Sequence, residues 1–381
     1  MALRTAASSV TTNPTGTQAN NAAASSSSTL SPTRTYTLAP TGTVPAGYLQ
    51  TSGSSIVNSS GDVITLHGVN LGGWLEIEDW MCGITDTTDD SGPHPYRQSF
   101  ISAQDFVNIA ALGFNLIRLP FSYLNLQNPD GTWRPDAYTL LDWAVSQAAA
   151  NGIYIILDLH SWATQAENYT LISTNTNAGE AARQQAQTLW TNITTHYLNN
   201  PTILAFDLIN EPVGSYANYL PRALYAAIRS IDPHRILLLE AFSAPPSQYD
   251  FHQVAYSFHE HKMESLDFAT NKAVWAANKT TIESYLNFPA PFYMGEFMAV
   301  NETLAYLLQQ MNSLGVAWTM WTWKAVDMAD WAFHNYPHYP VTYRVNINTD
   351  SYESILETWQ GLGSINATRN DDLVNMYSPY I

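Results

Sequence analysis

The sequence predicts an α/β chain folded as a (β/α)8 TIM barrel, with an N-terminal hairpin and, ahead of it, a disordered Ser/Thr-rich tract. Eight apolar runs rich in branched residues alternate with helical patterns over about 250 residues, the spacing of a strand-helix barrel. The runs stop abruptly at polar side chains: Ile203 to Pro212 reads Ile-Leu-Ala-Phe-Asp-Leu-Ile-Asn-Glu-Pro, and Ala290 to Phe297 delivers Glu296 after Tyr-Met-Gly. A branched apolar run is a strand covered on both faces, so the polar residues after it stand at its carboxyl end, where parallel barrels carry their chemistry. A doubly wound sheet is the alternative. It wants a glycine-rich phosphate loop after its first strand, and the stretch from Gly68 to Gly73 matches that poorly.

In chain order, residues 1–44 are a Ser/Thr/Ala/Asn/Pro tract whose composition cannot bury enough surface to fold, read as a linker ahead of a catalytic domain at 45–381. Leu49 to Asn70 reads as a hairpin and then the first core strand, with Ser-Gly signals at the turns. Further strands are expected at 114–119, 153–159, 203–209, 235–240, 254–259, 291–295 and 316–323. Helices are expected at 103–112, 136–151, 180–199, 218–231, 301–314 and 352–361, the first and last capped by Ser102 and Asp350.

Composition narrows the function. With 381 residues, 45% of them hydrophobic, the chain can bury a large core. Its 15 basic against 32 acidic residues give a net charge of −17, which repels nucleic acid and anionic membranes and favours a neutral substrate. The single cysteine, Cys82, excludes an intramolecular disulfide and thiol-based metal sites and reads as a packed side chain. No apolar stretch is long enough for a membrane span, and no signal peptide is visible. A tract like residues 1–44 commonly precedes secreted enzymes, so secretion is the expectation, with the chain acting as a monomer. The excess of carboxylates also predicts tolerance of acid, because moderately low pH brings the net charge toward neutrality.

The strand ends carry Asn70, Arg118, His160, Asn210 with Glu211, Glu240, His259 with His261, Glu296, and Trp321 with Trp323. Each has a bland explanation by itself, as an ion-pair partner, a buried histidine or a packed indole. Eight such endings on one face do not. Two glutamates at strand ends are the minimum equipment for hydrolysing a glycosidic bond. Glu240 is a rival carboxylate. His259, His261 and Glu296 could be imagined as a metal site, yet imidazoles at a sugar site more often bind hydroxyls or the nucleophile, so neither metal nor cofactor is expected. Trp321 and Trp323, two apart, should share a strand face. One of them should floor a pyranose ring, with Trp74, Trp80, Trp162, Trp331 and Tyr123 extending the platform.

The stretches His67 to Trp74, Gly113 to Pro120, Leu157 to His160, Leu208 to Pro212, Met294 to Phe297 and Trp321 to Lys324 closely resemble glycoside hydrolase family 5 of clan A. The resemblance implies a retaining β-glycosidase in which Glu211 is the acid/base and Glu296 the nucleophile, with Arg118, His160, Asn210 and His259 around them. It prefers Trp323 as the sugar-stacking indole. Residues 70–80, Trp323 to Asp327 and Asp330-Trp331 look most like the exo-β-1,3-glucanase branch, where Glu78 would grip the terminal sugar. The substrate is then a β-linked oligo- or polysaccharide. An endo-β-1,4-glucanase or β-mannanase is the alternative among enzymes, and a carbohydrate-binding pseudo-enzyme the alternative outside them. In such chemistry Glu211 must hold a proton, so its surroundings should raise its pKa, whereas Arg118 should keep Glu296 ionised. The chain departs from the family at His261, which replaces the tyrosine that usually bonds the nucleophile.

Overall fold

The computed structural model describes residues 43–77, 81, 84–85, 95–161, 171–172, 174–212, 220–240, 251–261, 267–286, 290–299, 301–326, 331–336, 345–363 and 367–381. Eight parallel strands close into a barrel: β1 (His67–Asn70), β2 (Leu116–Ser122), β3 (Tyr154–Ser161), β4 (Ile203–Asp207), β5 (Ile236–Glu240), β6 (Val254–Glu260), β7 (Phe292–Phe297) and β8 (Ala317–Met320). Each strand pairs with the next in sequence, and β8 pairs with β1. The α/β barrel expected from the sequence is the fold. The low-complexity tract, apart from Thr43 and Val44, lies outside the described residues.

Strand alternation builds the interior in layers. Leu116, Ile156, Ala205, Leu238, Ala255 and Tyr293 face inward and form one apolar cluster. The intervening Ile117, Leu119, Ile155, Leu157, Phe206, Leu237, Leu239 and Met294 pack outward against the helices in a second, larger cluster. Ile56, from the antiparallel hairpin Gln50–Ser52 and Ser55–Val57, and Leu49 just before it join the inner cluster and close the amino-terminal end of the barrel. Two residues further along the same inward rows, apolar side chains give way to Arg118, Asp158, Asp207, Glu240 and Ser257. All five side chains are buried. The barrel is therefore oily at one end and charged at the other, and the charged end is the carboxyl mouth.

The ring of helices comprises α1 (Ala103–Ala111), α2 (Thr139–Ala150), α3 (Asn177–His196), α4 (Leu220–Arg229), α5 (Phe268–Leu286), α6 (Asn301–Leu314), α7 (Tyr352–Gln360) and α8 (Asp371–Tyr377). Their starts follow local chemistry. The Asp105 carboxylate accepts from the Ser102 backbone N–H at 2.8 Å, and Thr176 Oγ1 accepts from the Gly179 N–H at 3.0 Å. α7 is capped by Ser351, whose hydroxyl accepts from the Ser354 N–H, and not by the expected Asp350. On α3 the buried Ala182, Ala186, Leu189, Trp190 and Ile193 fall on one face, each large side chain contributing about 1.5–3 kcal/mol. α5 was unmarked in the sequence because its apolar residues are spread around the helix with no stripe. No described helix is long and apolar enough to cross a membrane.

Candidate active site

Arg118 organises the carboxyl mouth. Its Nε–H donates to Asp207 Oδ2 at 3.0 Å and its Nη1 to Glu296 Oε1 at 2.5 Å and Asn70 Oδ1 at 3.2 Å. Its Nη2 donates to Asn210 Oδ1 at 2.8 Å and lies 3.0 Å from Asp158 Oδ2. A planar guanidinium is suited to this because its donors sit in a fixed fork. Asn70, ending β1, also donates to the Gly295 carbonyl at 2.9 Å and so ties β1 to β7.

Glu296 stands on β7 beside a bulge. Met294 pairs with Phe258 and Glu296 with His259, which leaves Gly295 as the extra residue. Gly295 must lack a side chain, since a Cβ there would lie 2.6 Å from His259 Nε2 and 2.8 Å from Ser257 Oγ. Glu211 follows β4 with a left-handed backbone, φ 41°, a conformation that costs a non-glycine residue about 1 kcal/mol or more and recurs where function demands it. His259 Nδ1 donates to Glu211 Oε1 at 2.8 Å, while its Nε2 faces the buried Glu240 Oε1 at 3.4 Å. His261 Nε2 lies 3.3 Å from Glu296 Oε2 and 4.0 Å from Glu211 Oε1. His160 is held by Asp158, Nδ1 to Oδ2 at 2.7 Å, and its Nε2 is 3.4 Å from the Asn210 amide. The Trp321 indole stacks on His160, ring centroids 5.4 Å apart at 20°, and lies flat against Gly72.

A family model described as Cellulase (glycosyl hydrolase family 5) matches residues 85–327. The chain belongs to that family. It is 28% identical over 253 residues to a beta-xylosidase of Phanerodontia chrysosporium, covering 57% of this chain and 52% of the relative. It is 27% identical over 228 residues to a probable glucan 1,3-beta-glucosidase A of Aspergillus clavatus, covering 50% and 53%. The chain thus spans about half the length of these curated relatives. Its fold resembles the structure of Thermotoga maritima Cel5A in complex with mannotriose, with a TM-score of 0.55, 16% identity, and coverage of 78% of this chain and 97% of that one.

Electrostatics divide the family 5 site into an inner and an outer carboxyl. Burial alone would raise Glu296, but the charges of His259 and Arg118 and the hydrogen bond from His261 hold it well below the ordinary carboxylate range. Burial first, then the neighbouring Glu240, push Asp207 well up against the opposing charge of Arg118. Burial opposes a charge on His259, yet Glu240, Glu296 and Glu211 outweigh it and push it up to about 10. That cation corrects the expectation for Glu211. Burial and Glu296 raise its pKa, but the His259 hydrogen bond and charge prevail and leave it lowered. Glu211 remains the reachable one: its side chain is 36% exposed against 7% for Glu296.

Several aromatic expectations are also corrected. Trp323 is fully buried, its Nε1–H bonded to Asp105 Oδ1 at 2.9 Å beside the buried Lys324–Asp105 ion pair at 3.0 Å. β8 ends at Met320, so strand alternation does not extend to 321–323, and of the pair only Trp321, itself 2% exposed, touches the site, through the His160 ring. Trp74 is buried and donates to the Arg97 carbonyl, and Tyr123 packs in the apolar layer between barrel and helices. Trp331 packs in a small cluster with Trp321. Glu78, Trp80, Trp162 and Cys82 lie outside the described residues. Asp158 and Asp207 were not foreseen. Their signal was present: each is a lone acid at an inward position of an otherwise apolar run.

Proposed function

We propose that this family 5 chain is a retaining β-glycoside hydrolase that cleaves β-glucan by double displacement, with Glu296 as nucleophile and Glu211 as acid/base. The observation that supports it best is separation: an oxygen of Glu211 and an oxygen of Glu296 lie within 4.8 Å of each other. Retaining glycosidases keep their carboxyls about 5–5.5 Å apart, whereas inverting ones need about 6.5–9.5 Å to admit a water.

In the first step Glu211 gives its proton to the glycosidic oxygen, the bond to the leaving sugar breaks, and Glu296 bonds to the anomeric carbon. In the second, Glu211 takes a proton from water, whose oxygen displaces Glu296 and restores the original configuration. Substrate covering the half-exposed Glu211 carboxyl strips its solvent and favours the protonated form for the first step. Once Glu296 is esterified its charge is gone, one of the influences raising Glu211 disappears, and Glu211 becomes the base. Asn210, held by Arg118, offers its amide to the sugar 2-hydroxyl, His160 supports it, and Trp321 supplies the stacking face. His261 takes the tyrosine's part as donor to Glu296.

The finer reading is exo action on β-1,3-glucan outside the cell. It is supported by the motif at residues 70–80 and by likeness to a relative named as a glucan 1,3-beta-glucosidase. A polymer too large to cross a membrane calls for a secreted enzyme. Product analysis on laminarin, cello-oligomers and mannan tests both levels. Glucose alone from laminarin supports the exo reading, mixed β-1,4 oligomers point to an endo-cellulase or mannanase, and no product from any of them overturns the assignment.

A further inference from the structure

Glu211, His259, His261 and Glu296 are a set of metal donors as well as a set of catalytic groups. One oxygen or ring nitrogen from each lies within 4.8 Å of the other three. Around the ring of donors the separations are 2.8 Å from Glu211 Oε1 to His259 Nδ1 and 3.8 Å from there to Glu296 Oε2. They continue at 3.3 Å to His261 Nε2 and 4.0 Å back to Glu211. A tetrahedral ion with bonds of about 2.0–2.1 Å to imidazole and carboxylate needs its donors about 3.3 Å apart, so the four separations bracket the requirement within about 0.7 Å.

The surroundings of this quartet are those of a metal site too. The imidazole of a metal-bound histidine is usually held by a carboxylate on its other nitrogen. Behind His259, the Glu240 carboxylate is buried 3.4 Å from Nε2, and neither of its oxygens has a hydrogen-bond partner among the described residues. Arg118 fixes the other oxygen of Glu296 from beneath. His261 and Glu211 are each 36% exposed, which gives an ion a way in. The fourth donor exists because position 261 is histidine: a neutral phenol there would bind a divalent ion poorly. Two carboxylates and two neutral imidazoles balance the double charge of the ion. The Nδ1 proton of His259 leaves to solvent, while the Nε2 proton stays toward Glu240.

We propose that these four side chains form an inhibitory site for a divalent cation of the zinc class, which occupies both working carboxylates and competes with the sugar. Inhibition rests on the glycosidase reading, whereas binding does not. Metal-free protein would be titrated with Zn2+ by calorimetry and with Co2+ by its visible d–d absorption, alongside Zn2+ inhibition of laminarin hydrolysis and its reversal by EDTA. One ion per chain, the intense bands of tetrahedral cobalt, and competitive inhibition are expected. His261→Phe and the more conservative His261→Asn should each weaken binding by more than about 10-fold, and Glu240→Gln by about 10–100-fold. Absence of binding up to about 1 mM, or wild-type affinity in both His261 variants, overturns the proposal. A cobalt spectrum in a chain that hydrolyses no glycan would instead overturn the glycosidase reading and leave the site standing.

Discussion

Two buried histidines should take stability from the fold as the pH falls from 7 to 5, against the acid tolerance that composition predicts. His67 stacks on Trp318, centroids 4.4 Å apart, and burial pushes its pKa from 6.5 down to about 4. His334, packed on Trp323 near Lys324, Asp105 and Arg369, has no hydrogen-bond partner on either ring nitrogen among the described residues, and burial first, then Lys324, pushes it down to about 4 as well. Both rings are neutral in the native state at pH 5, while the unfolded chain takes up a proton on each below 6.5. Stability is therefore unaffected above 6.5 and is lost as pH falls from 6.5 toward 4. The loss is about 2 kcal/mol per histidine at pH 5 and about 3 at pH 4. His259, with its raised pKa, moves the other way by under about 1 kcal/mol over the same interval, because down to about 6.5 the native form holds a proton that the unfolded chain lacks. Together the two histidines remove about 4 kcal/mol at pH 5, a large share of a domain's usual 5–15. Urea denaturation at the two pH values measures it, and comparing the wild type with a variant lacking both rings separates these histidines from the raised Asp207 carboxyl, which titrates in the opposite sense. His67→Gln with His334→Phe should remove this loss. A change in stability between pH 7 and 5 that is the same in the double variant as in the wild type, within about 1 kcal/mol, refutes the reasoning.

Glu296→Ala and Glu211→Ala should each abolish turnover, and azide acting on an activated aryl glycoside should give the β-azide in the Glu211 variant and the α-azide in the Glu296 variant; the reverse pattern would overturn the two roles. Arg118→Met should cost about 3–5 kcal/mol in denaturation experiments by stranding Asp158 and Glu296, and should remove activity even where the fold survives. Trp321→Ala should raise KM as well as cost stability, since its indole is 2% exposed and packs with Met81 and Met298, whereas Trp323→Ala should cost about 3–5 kcal/mol through core packing and its lost bond to Asp105 with KM unchanged in the folded fraction. The opposite pattern would return the stacking role to Trp323.

The barrel was legible because burial on both faces writes each strand as a continuous apolar run, and the loss of that pattern marks the carboxyl mouth. Glu211, Glu296 and Arg118 could be picked out by standing where a run stops. Asp158 and Asp207 were harder, since an acid inside an apolar run is read as an interruption until the strand is known to have an inward face. The Trp321 and Trp323 pair was misassigned by a sound rule applied past its range: alternation holds within a strand, and β8 had ended. The lowered pKa of Glu211 was illegible because it depends on a single contact, His259 Nδ1 at 2.8 Å, between residues 48 apart in sequence.

Register along β6 bears on which of two strand-end glutamates can be the nucleophile. Glu240 pairs with Ser257, whereas Glu296 pairs with His259. Two residues of strand are about 6.6 Å, so measured on this common ruler Glu240 lies one layer deeper in the barrel. There it is covered by the His259 ring, within reach of Arg118 at 3.8 Å, with its side chain fully buried. The bulge at Gly295 sets the difference, because without the extra residue it is position 295 that would stand opposite His259 and Glu296 would turn to the other face. One inserted glycine thus lifts a carboxylate from the buried ion network to its surface, where it keeps Arg118 on one oxygen and presents the other to the mouth beside His261. Glu240 can act only through His259, by fixing the ring that bonds Glu211.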